Sequence, residues 1–357
     1  MSTYFVRMTP LEPFTFGGEK GFAFEENGAG DGRSAVNSSY YQDSKEIPEQ
    51  TTIIGMLRYI ILQNEGIAKK FSEYTREDRE RSAQMIGAKS FSFESETFDM
   101  GKLKSVSPVF IVNGEKDYKK ADYYIRNPFN NRGDKRYQPF QMSETPVRTS
   151  HGNIKLPVDY TTKTWLQTGY LNIGNATNVK AEYKESLFES QVYTGNRKNG
   201  DKDEDGFFKR EAKRFKEDGF AFAVFVECED GILPDKIIAG MGLKKSAFLV
   251  ESISVQKNDL EERIQNALAE GDTWYYALSD LMPEDEWDNT FSIIGKKQIR
   301  NLNTNMAENH YRSAIKRGKK QYNLIEAGSV FYEKKPVLEN ENLRDAGYNW
   351  IVKIGGR

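Results

Sequence analysis

The sequence predicts an α+β fold, and three observations carry that reading. Apolar runs short enough for strands outnumber the amphipathic helical stretches, and the helices are set apart from one another. Residues 219–226 (GFAFAVFV) are apolar at nearly every position, as a strand buried on both faces must be. Apolar side chains make up 38% of the 357 residues, with 22 Phe and 19 Tyr, enough for substantial cores.

In chain order, residues 4–8 alternate as a first strand ended by Pro10 and Pro13. Residues 16–50 are rich in Gly, Ser and Asn with no sustained period, and so long a stretch inside a folded unit is often functional. A helix follows from Thr51, with Ile53, Leu57, Ile60 and Ile61 on one face, Thr51 or Thr52 as its cap and Gly66 as its stop. A second helix is expected over 76–86, a strand over 90–93 and another over 106–112. Residues 113–186 read as a long insertion containing hairpins. After 219–226 comes a strand over 246–254, then a helix from Asp259 with a capping-box-like Glu262 and a stop at Gly271. Strands over 274–278 and 349–354 close the chain. Helices segregated over an antiparallel sheet in this order suggest two ferredoxin-like (RRM-like) domains, 1–243 and 244–357, the first carrying insertions at about 16–50 and 113–186.

Several chemistries find no support. The single Cys228 sits in an apolar run, which excludes an internal disulfide framework and a cysteine-based zinc site. His151 and His310 have no partner at metal-ligand or acid–base spacing. The cluster Gly28, Gly30, Gly32 does not match a dinucleotide fingerprint, and no phosphate-loop element exists. Residues 201–206 copy the first half of a calcium loop, but Ala212 stands where a bidentate Glu is required, so an acidic turn is the better reading. Neither a catalytic centre nor a cofactor or metal site is expected. No apolar run is long enough for a transmembrane helix and no signal peptide is recognisable, so a cytoplasmic protein without membrane contact is expected.

Net charge is −2, from 51 basic and 53 acidic side chains, which weighs against a general nucleic-acid binder. Local patches differ. Residues 207–216 hold five basic side chains to one acidic, interleaved with aromatics. Residues 311–320 hold five basic and none acidic, and 126–137 add Arg126, Arg132, Lys135 and Arg136 among Tyr and Phe. Cations beside rings suit single-stranded RNA, the cations neutralising phosphates and the rings stacking bases.

The order of short motifs resembles a known family. Residues 10–18 (PLEPFTFGG), 47–58 (IPEQTTIIGMLR), 195–198 with 206–209, 238–248 (IAGMGLKKSAF), 326–332 (EAGSVFY) and 346–349 (AGYN) are similar, in this order, to the RAMP proteins of CRISPR effector complexes. More narrowly they resemble the third subunit of the type III-B Cmr complex, with the fourth subunit of the type III-A Csm complex as runner-up. The glycine loop at 238–248 is less glycine-dense than in the family, with Met241 and Leu243 between its glycines.

The resemblance implies a pair of ferredoxin-like domains and a scaffold that grips the 5′ repeat-derived handle of the guide RNA (crRNA). It also implies contact with the large polymerase-like subunit and the backbone RAMP. Carried onto this chain, Gly240, Gly242, Lys244 and Lys245 approach the handle, with Gly17, Gly18 and Lys20 lining the same cleft. Arg197, Lys198, Lys209 and Arg210 are candidates for phosphate contacts, with Tyr193 or Phe207 for stacking; Arg58 either contacts RNA or supports its helix. Two alternatives stand: a RAMP endoribonuclease cutting precursor guide RNA, for which only His151 could serve as acid–base, and a protein-only assembly adaptor.

Overall fold

The computed structural model describes residues 1–18, 41–69, 73–88, 91–93, 98–128, 142–150, 152–156, 169–197, 206–284, 292–294, 297–303, 317–332 and 334–356. The chain opens with β1 (Ser2–Pro10), followed by three two-residue strands, β2 (Phe16–Gly17), β3 (Tyr41–Gln42) and β4 (Ser44–Lys45). Helices α1 (Gln50–Asn64) and α2 (Arg76–Ile86) come next, then β5 (Leu103–Val106), β6 (Phe110–Asn113), β7 (Asp122–Arg126) and the small hairpin β8 (Val147–Thr149) and β9 (Gly152–Ile154). Strands β10 (Tyr170–Gly174), β11 (Val179–Lys184), β12 (Phe188–Arg197), β13 (Gly206–Phe215), β14 (Ala221–Cys228), β15 (Lys236–Met241) and β16 (Ser246–Val255) precede α3 (Leu260–Ala267). The last part contains β17 (Trp274–Ala277), β18 (Ser292–Ile294), β19 (Lys297–Asn303), β20 (Arg317–Ile325), β21 (Val330–Tyr332) and β22 (Ile351–Ile354).

A large sheet, ordered β11-β10-β7-β6-β14-β1-β16-β15 with β5 also on β14, is the frame. Strand side chains alternate between faces, so β1 and β14 feed two cores. Val6, Met8, Phe222, Val224 and Val226 meet Ile53, Leu57, Ile60 and Ile61 of α1 on one face. Phe5, Ala221, Ala223 and Phe225 meet Leu260 and Ile264 of α3, and Trp274 and Val352 of the four-stranded sheet β18-β21-β17-β22, on the other. This explains why β14 is apolar throughout. The fold is thus mixed α and β, dominated by strands. The expected boundary at 243/244 falls inside the β15–β16 hairpin, both of whose strands lie in the large sheet.

Several local expectations are corrected. Helix α1 starts at Gln50 with Glu49 as its cap; the Glu49 carbonyl accepts the Thr52 and Ile53 N–H groups, and neither threonine caps. Asp259 makes no cap hydrogen bond but pairs with Arg263 at 2.8 Å, while Asn258 accepts the Leu260 N–H. Phe91 and Phe93 form no strand: their rings pack with Phe98 and Tyr348 instead of extending a ladder. The strand expected over 106–112 is two strands, broken at Pro108, which lacks an N–H. Ser107 fills the break, exchanging hydrogen bonds with the Phe225 backbone at 2.8 Å each way. The expected insertion at 113–186 is in part framework, since β7, β10 and β11 extend the large sheet. Helix α2 spans the expected residues, closed at its start by a Thr75–Asp78 capping box.

Candidate nucleic-acid interface

The turn between β15 and β16 is shaped by local sterics. Gly242 has φ +77°, and a Cβ there would lie 2.6 Å from the Thr15 carbonyl oxygen. Only glycine combines that conformation with that approach at low cost. The next residues fold as a tight 3-10 turn, Leu243–Lys245, in which Lys244 and Lys245 take φ of 60° and 54°. Left-handed backbone in two successive non-glycine residues costs about 1–2 kcal/mol each, and such strain concentrates at functional loops. Both lysines are exposed and, among the described residues, neither is within ion-pair distance of an acid.

Thr15 links this turn to the rest of the site. Its carbonyl accepts the Leu243 N–H at 2.8 Å, and its hydroxyl donates to the Glu211 carbonyl at 2.9 Å. The next residues, Phe16 and Gly17, pair with Lys45 and Ser44, and the Gly18 N–H reaches the Asp43 carbonyl at 3.3 Å. The turn with Gly242, Lys244 and Lys245 therefore lies against Thr15 and Phe16, the residues that lead into Gly17 and Gly18, and Gly240 packs against Lys245.

Beside them runs a two-stranded ribbon, β12 paired with β13 over ten residue pairs, with β3 alongside β13 in parallel. It carries Lys209 opposite Thr194 and Arg210 opposite Tyr193; the Arg210 guanidinium lies 5.5 Å from the exposed Tyr193 ring. Arg197 and Phe207 take ladder positions opposite Gly206 and Asn196. Lys20 and Lys198 lie outside the described residues, as do His151, His310 and residues 201–205 of the acidic turn.

The basic patches are thinner than their composition implied. Lys213 is held by Glu211 and Ser190, each at 2.8 Å, and Arg214 pairs with Glu189. Arg126 is not a patch residue: its guanidinium pairs with Glu326 at 2.9 Å and is half-buried. Arg132, Lys135, Arg136 and residues 311–316 lie outside the described residues. Arg58 stands on α1, half-buried, with its guanidinium donating to the Asp99 carbonyl at 3.1 Å; burial lowers its pKa. That bond ties the middle of α1 to the loop at Asp99 rather than to the start of the helix. Cys228 is buried, and burial pushes its thiol up to about 12, which disfavours the thiolate.

Three residues of this region escaped the sequence reading: Thr15, Tyr41 and Glu211. Burial would raise the Glu211 carboxyl, but hydrogen bonds from Lys213, Ser190 and the Ser44 N–H hold it below the usual glutamate range. An acidic residue inside a basic run was the only signal in the sequence.

The late motifs have a different place. Gln50, from the start of α1, donates to the Ser107 carbonyl at 2.8 Å, and Gly347 lies so close that a Cβ would meet its amide at 2.2 Å. Asp280 accepts the Ala327 N–H at 3.0 Å, and Tyr276 donates to the Arg126 carbonyl at 3.0 Å. Residues 47–50, 326–327 and 347–348 thus enclose a cavity of about 70 Å³ with Arg126 and Asp280 in its wall.

Comparison with known proteins places the chain. No curated protein matches it. Among the solved chains that match it are two from type III-B Cmr-beta complexes. One is from the cryo-EM structure of the type III-B Cmr-beta bound to cognate target RNA and AMPPnP, at 15% identity, covering 97% of this chain and 95% of that one, with TM-score 0.48. The other is from the Cmr-beta bound to cognate target RNA, at 16% identity, covering 99% and 98%, with TM-score 0.49. A family model described as CRISPR-associated protein (Cas_Cmr3) matches residues 6–347, and the chain belongs to that family.

Proposed function

We propose that this chain is a non-catalytic, RNA-holding subunit of a cytoplasmic type III CRISPR effector complex in antiviral defence. In this reading it grips the 5′ handle of the guide RNA and bridges the large polymerase-like subunit to the backbone RAMP. The observation that carries the reading is the convergence of Gly240, Gly242 and two exposed lysines, without an ion pair among the described residues, on the Thr15 segment that leads into Gly17 and Gly18, beside a ribbon bearing Lys209, Arg210 and Tyr193. Glycines allow close backbone approach to phosphates, the lysines neutralise them, and the exposed ring can stack a base. Membership of the Cas_Cmr3 family supports the setting. We read the architecture as a pair of ferredoxin-like units, the large sheet with α1 and the smaller sheet with α3. No helix of the described residues is long and apolar enough to cross a membrane.

The test is co-purification of the tagged chain from its host, with sequencing of the bound RNA and identification of bound proteins. Short RNAs sharing one repeat-derived 5′ end, together with a large polymerase-like protein, are expected. The double variant Lys244→Ala, Lys245→Ala should recover the same proteins with RNA reduced about tenfold, the scale of a few phosphate contacts. Recovery of the partners with no RNA from the unmodified chain would leave the adaptor reading. Cleavage of repeat RNA by the pure chain, abolished in His151→Ala, would establish the endoribonuclease instead.

A further inference from the structure

Among the five cations of residues 207–216 stands one acid, Glu211, and Coulomb's law makes it a liability for any surface that binds phosphates. The structure gives it another role. Its carboxylate accepts the Ser44 N–H and the Tyr41 hydroxyl, both at 3.3 Å, and the Lys213 ammonium at 2.8 Å. Its backbone carbonyl accepts the Thr15 hydroxyl at 2.9 Å. One residue thus reaches two segments distant in sequence. Ser44 and the following Lys45 pair in turn with Gly17 and Phe16, and Thr15 holds the glycine turn through Leu243. Tyr41 also lies beside Lys209 in the parallel β3–β13 pairing. The Glu211 side chain is 13% exposed, so its charge is turned inward and balanced by Lys213.

We propose that Glu211 and Thr15 are positioning residues of the RNA surface: they lock the glycine turn with Lys244 and Lys245 to the ribbon with Lys209 and Arg210, so that both grip one phosphate chain. The inference rests on the RNA-holding reading above. Neither residue needs to touch RNA. Their effect is on how many cations engage together, which sets the slope of affinity against salt as well as affinity itself.

The sign of the effect separates this from simple electrostatics. Removing a carboxylate from a basic patch should tighten RNA binding if Glu211 acts only through its charge. Positioning requires the opposite. The full-length chain is titrated with a labelled short oligouridylate over a range of salt, and folding is followed by thermal melting. Glu211→Ala should weaken binding about tenfold and reduce the salt slope by about one. Thr15→Val, which changes no charge, should act in the same direction. Glu211→Gln keeps an acceptor for Ser44 and Tyr41 and should bind at least as tightly as the unmodified chain.

Tighter binding by Glu211→Ala overturns the proposal, as does Thr15→Val with unchanged affinity and slope. A lowered melting temperature with unchanged slope well below melting would assign a merely structural role and overturns it too. Should Glu211→Ala fail to fold, Thr15→Val decides. If Lys244→Ala, Lys245→Ala weakens binding while Thr15→Val does not, the RNA reading survives and the positioning role falls. If the unmodified chain shows no salt-dependent binding, both fall together.

Discussion

At Gly242 two constraints coincide, and a single methyl group tests both. Its φ of +77° disfavours any side chain, and the Thr15 carbonyl oxygen sits 2.6 Å from where a Cβ would be. Backbone cannot retreat as a flexible side chain would, so Gly242→Ala should cost about 2 kcal/mol or more in chemical denaturation. The two lysines after it behave differently. Lys244 and Lys245 hold left-handed backbone without any ion pair among the described residues. Lys244→Gly relieves that strain and adds back part of it as unfolded-state entropy. Stability should therefore stay equal or rise by about 1 kcal/mol, while guide-RNA retention falls. A variant that is more stable and binds less RNA would separate function from folding at this turn; a clear loss of stability would mean the lysine side chains support the fold.

The elements divide by how local their causes are. Strand β14 was legible because its composition alone demands burial on two faces, and the structure supplies a core on each. Helix α1 was legible through its period, with Ile53, Leu57, Ile60 and Ile61 buried together. Its cap was not, because Glu49 caps through its backbone and leaves no residue-type signature. Residues 91–93 alternate like a strand, yet packing against Phe98 and Tyr348 fixes them, and Tyr348 lies far along the sequence. The glycine turn was singled out through its resemblance to the RAMP glycine-rich loop, whose residues lie within one short stretch. Glu211 was not, since its partners at Thr15, Tyr41 and Ser44 become neighbours only after folding. The legible helix supplies its own check. Leu57 is fully buried in the core between α1 and the large sheet, so Leu57→Ala should destabilise by about 2–5 kcal/mol. A cost below about 1 kcal/mol would mean that α1 is not a fixed layer of the fold.

At the scale of the whole molecule, short motifs spread from residue 47 to residue 349 meet at one junction. There the start of α1, the end of β7 and the loops of the smaller sheet close around Arg126. The charges facing one another are Arg126 of β7, Lys45 and Glu46 before α1, and Asp280 and Glu326 of the smaller sheet's loops. Arg126 pairs with Glu326, and Tyr170 donates to Glu46 at 2.7 Å. At Asp280 burial raises the carboxyl above the ordinary aspartate range, against the Ala327 N–H and the attraction of Arg126 and Lys45. A carboxyl whose pKa is higher in the folded state binds its proton more tightly there. Its favourable contribution is complete below the unfolded value of about 3.9 and is lost as pH rises through the folded value. Ionisation of Asp280 therefore opposes folding, and more of it occurs as pH rises through the folded value. Asp280→Asn keeps an oxygen for the Ala327 N–H and removes the charge. The variant should melt higher than the unmodified chain at pH 7, and the difference should shrink towards zero as pH falls to about 4. A variant that melts lower at pH 7 would mean that attraction to Arg126 outweighs burial, and that the junction is held by a charge pair rather than strained by one.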